Sequence, residues 1–472
     1  MTSTYDLADV EMSVVSNKLS HNSSVTILLF GLSALALGQA LQSGDGTFTF
    51  HSIVWLTIAI ISAGAGIASQ RLFFPIISKK VVWIVLIIGL AFQLFQLLTT
   101  PPGNSISVAQ FHKVWQFQVG IVIGGVCALL SLLPKAWCPL KARIGLIAAA
   151  FLSVLVAGIW VIRASPNPFI DVFMFQQSSS DALLHGQNPY ELTPPNIYGN
   201  MNYYGAALVN DGKMTIGNPY PPLSIIFSSV GYTVTRDVRY GYLVAILVTG
   251  VLMIWLRPGR DALLAAYIFL FTPRIFYVVE QSWTEPLVLL LTISVVWCAI
   301  HRPTLMYIAL GLLIASKQYM VFLLPFAIFL IKPGTRYRAL ARSLGWIFTC
   351  ALIVTLPFAI WNFHAFFWNV VMAQWYQVSR LDALSYAALY ARIFGQFPPQ
   401  FIPFIVLGGT FLLLWRYGER TPAGFAGASA FGLVLFFATS KQAFCNYYFL
   451  VIGLLCCALA TLPTLDKLFL SE

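Results

Sequence analysis

Apolar runs of roughly 15 to 20 residues recur along the whole chain, separated by shorter polar stretches. They predict spans at 25–42, 52–69, 81–98, 116–134, 143–162, 240–256, 261–273, 284–300, 304–316, 319–331, 343–361, 402–416, 424–439 and 445–463. In hydrocarbon every backbone N–H and C=O must find a partner within the protein, so runs of this length read as helices. The alternating ten-residue segments of a membrane barrel are not found. The expected fold class is an all-α polytopic membrane protein of about 13–14 transmembrane helices, with further helices lying at the outer surface. One run differs. "YPPLSIIFSSVGYTV" (220–234) is apolar but short, and a crossing there would reverse the side of every later loop. It reads as a re-entrant or interfacial helix.

Composition agrees: 59% of the 472 residues are hydrophobic and 9% charged, with a mean hydropathy of +0.81. The net charge of +11 would suggest nucleic acid as the partner of a soluble protein. Here the basic residues sit in short loops, so orientation in the membrane explains them and no nucleic acid is expected. With the N-terminus inside, 17 of the 27 Lys and Arg residues fall on the inner side, in stretches such as "SQRLFFPIISKK", "PKAWCPLKAR" and "IKPGTRYRALAR". Both termini are then cytoplasmic. The outer face receives two long segments, 163–239 and 362–401, which marks it as the side of any chemistry. Residues 1–24 are polar and lack the features of a cleaved signal peptide, so the first span is expected to remain as an anchor. The implied organisation is a tail (1–24), four transmembrane helices (25–142), a core (143–335) and a C-terminal transmembrane region (336–472). The seven cysteines, scattered and mostly within spans, show neither metal-site nor disulfide spacing.

The first long outer segment opens with "NPFIDVFMFQQSSSDALLHGQNPY" (167–190). Asp171 lies just past a span in a stretch that turns apolar again. Partial desolvation there raises a carboxylate's pKa toward a general base's range. Asp181 is ten residues on, about 2.8 helical turns, so the two acids need not share a face. Capping a helix or meeting headgroup water is the plain alternative for each. "HGQNPY" ends the helix, with Gly186 as its C′ residue and Pro189 as a stop. His185 and Tyr190 there, like Asp181, are candidate substrate contacts, and capping is the alternative for His185. "NPYPPL" (218–223) starts the re-entrant helix with prolines in its first turn, a structural role, and Tyr220 is a candidate to line a cavity.

"RIFYVVEQSWTEP" (274–286) brings Arg274, Glu280 and Glu285 to an outer turn. The acids suit an acceptor hydroxyl, a metal ion or an arginine, or the turn is simply held by an Arg–Glu pair. Ser-Lys-Gln occurs twice at outer span ends, as "ASKQYM" (315–320) and "TSKQAF" (439–444). Lys317, inside an almost continuous apolar run, needs an anionic partner, and a phosphate would serve. Lys441 is its counterpart, and Gln318 is a candidate substrate contact. Snorkelling to the interface is the alternative for both lysines. In the aromatic segment 361–395, Arg380 and Arg392 suit phosphate by their fork geometry and His364 suits acid–base or phosphate work. A headgroup role is the alternative for each.

There is no Walker A sequence, no G-x-G-x-x-G and no H-E-x-x-H. The energy for a reaction would have to arrive on a lipid. The order Asp171, "ALLHGQNPY", "YPPL", "WTEP" and Lys317 in "ASKQY" resembles the GT-C glycosyltransferases, integral membrane enzymes that use polyprenyl-phosphate sugars. It looks closest to the bacterial polyprenyl-phosphate-mannose-dependent α-mannosyltransferases, over about residues 143–330. Two differences stand out: four spans precede the one leading into the first long loop, and "WTEP" has glutamate where some relatives have another residue. The resemblance implies a GT-C-like fold in the bacterial plasma membrane with its active site outside. It implies that Asp171 is the catalytic base of an inverting transfer from a polyprenyl-phosphate sugar to a lipid or glycan acceptor, with mannose as the sugar the resemblance suggests. Lys317, Lys441, Arg380 or Arg392 would stabilise the leaving phosphate. The scheme requires no cofactor and no metal, and a metal, if used, would fall to Glu280 and Glu285. A transporter or lipid flippase of envelope glycan precursors is the alternative. It should show inverted repeats and broken helices, and no internal symmetry is evident. A membrane scaffold, or a polymerase or ligase of envelope glycans, is a further one.

Overall fold

A computed structural model of the chain describes residues 5–462 except 73, 74, 76, 200, 202, 332 and 333, and the side chains of the first helix from Ser24 onward. The N-terminal part contains α1 (Tyr5–Gln42), α2 (Phe50–Ala68), α3 (Lys79–Thr99), α4 (Val108–Phe111), α5 (Val114–Ser131) and α6 (Leu140–Ala164). The first long loop carries α7 (Asp171–Leu184) and α8 (Pro222–Thr235). Then come α9 (Arg239–Leu256), α10 (Arg260–Leu270), α11 (Ile275–Glu280), α12 (Glu285–His301) and α13 (Pro303–Ile314). The remainder holds α14 (Tyr337–Trp361), α15 (Phe363–Phe367), α16 (Ala373–Tyr376), α17 (Tyr386–Phe394), α18 (Ile402–Tyr417), α19 (Pro422–Thr439) and α20 (Cys445–Thr461). Its one sheet among the described residues is a hairpin, Val209–Asn210 with Lys213–Met214. Asp211 and Gly212, both at positive φ, make its two-residue turn.

Eight of these helices are long and apolar enough to cross a membrane, and α8, α12, α13, α18 and α20 are shorter apolar helices. The chain is thus an all-α, multi-pass membrane protein. Burial sorts the helices. α10 is buried at every position from Asp261 to Leu270, and α20 at nearly every one. A helix apolar all round belongs inside a bundle. α2, α3, α5 and α14 keep one apolar face exposed, as helices that meet lipid do. α1 is central, packing against α2, α3, α10 and α20.

Three expectations change. The polar stretch before the first span is helical from Tyr5. The span expected at 319–331 is instead a pair of 3₁₀ helices, Gln318–Leu323 and Pro325–Leu330. Pro325 has no N–H to continue an α-helix, and Leu324 and Ala327 bond three residues back instead. The span expected at 261–273 ends at Leu270, ahead of Pro273 and a left-handed Arg274. The C-terminal tail after 462, counted as cytoplasmic above, lies outside the described residues.

The basic loops meet on one face. Arg71 donates to the Gly418 carbonyl at 2.8 Å, Lys79 pairs with Asp261, Arg260 donates to Leu132 O, and His301 meets Trp255 O. The opposite ends of the helices are joined by a different set of bonds. Arg239 donates to the Ser165 carbonyl at the end of α6, and Ser107 N–H to Ala164 O. α8 begins and ends at this second face. Leu223 N–H and the Ser224 hydroxyl bond Ala315 and Ser316 at the end of α13, and Arg236, its left-handed C-cap, leads directly into α9.

The loop between α1 and α2 is pressed against the start of α20. A Cβ on Gly46 would lie 2.6 Å from the Cys445 backbone N and Cα, and Gly46 has φ +76°. Gly46→Ala should therefore destabilise the protein by about 1–3 kcal/mol, read as a lowered midpoint of thermal unfolding in detergent. An unchanged midpoint would mean that this contact is looser than described.

Candidate active site

Asp171 occupies the first turn of α7. Its Oδ1 accepts from the Val172 N–H at 2.8 Å and from the Tyr198 hydroxyl at 3.3 Å. Its Oδ2 accepts from Tyr204, and its own N–H donates to the Tyr198 oxygen at 3.1 Å. Tyr204 packs against a small core of Phe175, Leu208, Met214, Ile216 and Ala373, and the Tyr198 ring packs against Tyr204. Asn369 fixes the neighbouring backbone, accepting from the N–H groups of Gly217 and Asn218 and donating to Tyr190 O. Burial pushes the Asp171 pKa up, opposed by the bonds from Tyr204, Val172 and Tyr198 and by the charge of Arg380. Burial and the Asp171 charge hold the Tyr198 and Tyr204 phenols far above their ordinary range, so both stay protonated donors.

Asp171 faces a cavity of about 640 Å³. Of the residues singled out from the sequence, Tyr220, Lys317, Gln318 and Arg380 line it too. A second cavity of about 750 Å³ adjoins it, walled largely by Phe397, Pro398, Phe401, Phe404, Phe436 and Phe437, with Lys441 at its edge. Tyr319, Gln374, Gln377, Phe404, Gln442 and Tyr447 line both. The two Ser-Lys-Gln stretches, 124 positions apart, therefore meet at one site.

The lysines differ in their partners. Lys317 donates to Glu285 at 2.6 Å and to the Thr284 hydroxyl at 2.8 Å. The Tyr220, Tyr319 and Tyr447 rings surround its ammonium, Tyr220 at 4.6 Å. The anion that Lys317 requires is thus supplied by the protein's own Glu285, where a phosphate was anticipated. Among the described residues Lys441 bonds only neutral oxygens, the nearest being Gln377 O at 2.7 Å. Arg380 stacks on Tyr203 at 3.6 Å and gives Nε and Nη2 to Asp382. Its Nη1 has no hydrogen-bond partner among the described residues.

Other candidates lie elsewhere. Asp181 shares α7 with Asp171 but accepts from the Tyr232 hydroxyl at 3.0 Å. His185 is exposed and bonds the Asp181 carbonyl, and Gly186 and Gln187 close a Schellman turn onto Leu183 and Ala182. Tyr190 is buried and donates to Tyr220 O at 2.8 Å, which sets the start of α8. Glu280 is saturated by the Asn104 and Ser105 N–H groups and the Gln281 amide. Arg274 pairs with Asp45, not with a glutamate. Glu280 and Glu285 thus have separate partners and form no joint cation site. Arg392 clips Leu381 O and stacks on Phe48, and His364 is exposed on α15. Tyr198, Tyr203 and Tyr204 also line the cavity and are not among the residues expected from the sequence. "IYGNMNYYG" is dense in tyrosine, but nothing local shows that they turn toward Asp171.

The Lys317–Glu285 pair is almost fully enclosed, with side-chain exposures of 5% and 0%. Glu285→Gln or Lys317→Met alone should each cost about 3–5 kcal/mol, because each strands a buried charge, whereas Lys317→Met with Glu285→Leu should recover most of the loss. Unfolding midpoints of the three variants test this. Single variants as stable as the parent would contradict the pairing.

No family model matches the chain, and no curated protein matches it. Among solved structures the chain is similar to the crystal structure of ArnT from Cupriavidus metallidurans bound to undecaprenyl phosphate, at 16% identity and a TM-score of 0.43. The likeness covers 70% of this chain and 60% of that one, so the chain spans about three-fifths of that structure's length. The chain is therefore characterised by its own chemistry: a multi-pass helical membrane protein in which a half-buried carboxylate, held by two phenols, faces a cavity that opens into an apolar groove.

Proposed function

We propose that the protein is a GT-C-type membrane glycosyltransferase that moves a sugar from a polyprenyl-phosphate carrier to a lipid or glycan acceptor, with Asp171 as general base. The observation that carries this is the cavity itself: Asp171 and Arg380 face one space, and that space runs into an apolar groove edged by Lys441. A groove of phenylalanine and proline suits an isoprenoid chain, and the two cations suit the phosphate at its head. The order of motifs from Asp171 to "ASKQY" supports the same reading, and the mannosyltransferase resemblance suggests mannose as the sugar. The basic loops gather on the face opposite the cavity, which supports an outer active site and cytoplasmic termini.

In the reaction, an acceptor hydroxyl gives its proton to the Asp171 carboxylate as its oxygen attacks the anomeric carbon. The bond from that carbon to the phosphate oxygen breaks, and its electron pair departs on the polyprenyl phosphate, with inversion. Arg380 Nη1 and Lys441 stabilise the phosphate. A phosphate leaves with little acid assistance, so one carboxylate is enough. Lys317, committed to Glu285, positions Tyr220 and the floor of the cavity.

Purified protein given polyprenyl-phosphate sugars should release polyprenyl phosphate, and Asp171→Asn should slow that release by roughly 10²–10⁴-fold. A variant as fast as the parent would sink the assignment of the base. A base works only when deprotonated, and burial raises the pKa of Asp171. Activity should therefore fall on acidification through a pH above the ordinary aspartate value of about 3.9. Tyr204→Phe removes a donor to the carboxylate, so its acidic limb should move to higher pH. A limb that moves down or stays in place contradicts the role of Tyr204.

A further inference from the structure

The loop between α1 and α2 contributes Asp45 and Thr47 to the wall of the main cavity. This loop is held from two sides. Gly46 rests on Cys445, Thr47 bridges to Ala383, and Phe48 N–H donates to Asp382 O at 2.9 Å. Around it the cavity is lined by Tyr277, Gln281, Trp283 and Asn446. Asn446 is 5% exposed, yet its side-chain amide has no hydrogen-bond partner among the described residues. Gln281, 4% exposed, also lines the cavity; it gives its Nε2 to Glu280 at 3.0 Å, and its Oε1 has no hydrogen-bond partner among the described residues. The free polar atoms of both amides are open to the cavity rather than sealed from it, so a ligand there can bond them.

Charge narrows the ligand. Asp45 is paired with Arg274, and Glu280 is filled by backbone donors. Neither sign is left over in this lobe, which argues against a phosphate or an amine. It offers a carboxylate edge, two amides able to donate and accept, and the Tyr277 and Trp283 rings in edge contact at 5.3 Å. Vicinal hydroxyls match the polar groups, and the C–H face of a pyranose matches an aromatic ring. We propose that this lobe is a subsite for a neutral sugar ring of the acceptor, which would make the acceptor a glycan. The proposal deepens the transferase reading and rests on it for the word acceptor.

The test titrates methyl α-mannopyranoside, methyl α-glucopyranoside and methyl β-galactopyranoside into the full-length protein in nanodiscs, followed by saturation-transfer NMR. At least one should bind with a Kd of roughly 1–10 mM, and Asn446→Leu and Gln281→Met should each weaken it about tenfold or more. The midpoint of unfolding shows which variants are folded, and either one alone decides. Binding should persist when a polyprenyl-phosphate sugar is present in excess. The proposal is overturned if no glycoside binds, if folded variants bind like the parent, or if the lipid-linked sugar displaces the glycoside, since the lobe would then hold the donor's ring. Consumption of donor is measured separately. Donor turnover without glycoside binding removes the subsite and leaves the transferase, and glycoside binding without turnover of any donor does the reverse.

Discussion

A charge buried in a chain that is only 9% charged must be matched, and that requirement organises the face where the cavity lies. Lys317 is matched by Glu285, Arg274 by Asp45 and Arg380 by Asp382. Glu280 is matched by two backbone N–H groups. Each match joins separate segments or fixes a loop: Glu285 starts α12 and Lys317 follows α13, while Asp45 and Arg274 join the α1–α2 loop to the turn after α10. Two groups at the cavities make no ion pair among the described residues, Asp171 and Lys441. Neutral phenols and carbonyls hold them in place, and their charge is left for a ligand. The proposed mechanism uses these two.

The same face shows how a site is built where helices end. Helix ends leave backbone groups unpaired, and here those groups tie one loop to the next. The segment 380–384 lies between the α1–α2 loop and the start of α20. It bonds Phe48 on one side and Lys441 and Ala443 on the other. Arg380 is thereby fixed from both directions, and Arg392 adds a clip through Leu381 and Phe48. The α1–α2 loop is thus part of the cavity wall, together with residues of the first long loop, of the stretch after α13 and of the segment before α20.

Much of the fold was legible because a bilayer imposes long apolar runs, and such runs fold as helices. Asp171, Tyr220, Lys317, Gln318, Arg380 and Lys441 were legible because polar residues beside apolar spans are costly and therefore noticeable. The turn chemistry of "HGQNPY" and the short helix beginning "YPPL" followed from glycine and proline stereochemistry, which acts over a few residues. Errors arose where partners are remote. Glu280 and Glu285 looked like a pair at five residues' spacing, yet one answers Asn104 and the other Lys317.

What the sequence by itself determined was the class of protein, most of its long helices within a few residues, and a short set of costly polar positions. Each of these follows from local rules: hydropathy, helix length, and the price of a charge near lipid. Only the tertiary structure decided which of those positions work together. It turned Tyr198 and Tyr204 onto Asp171, gave Lys317 a carboxylate partner, and brought two Ser-Lys-Gln stretches from distant helices to one cavity. Those outcomes depend on which helix ends meet, and meeting is set by the packing of whole helices, which no short window of sequence records.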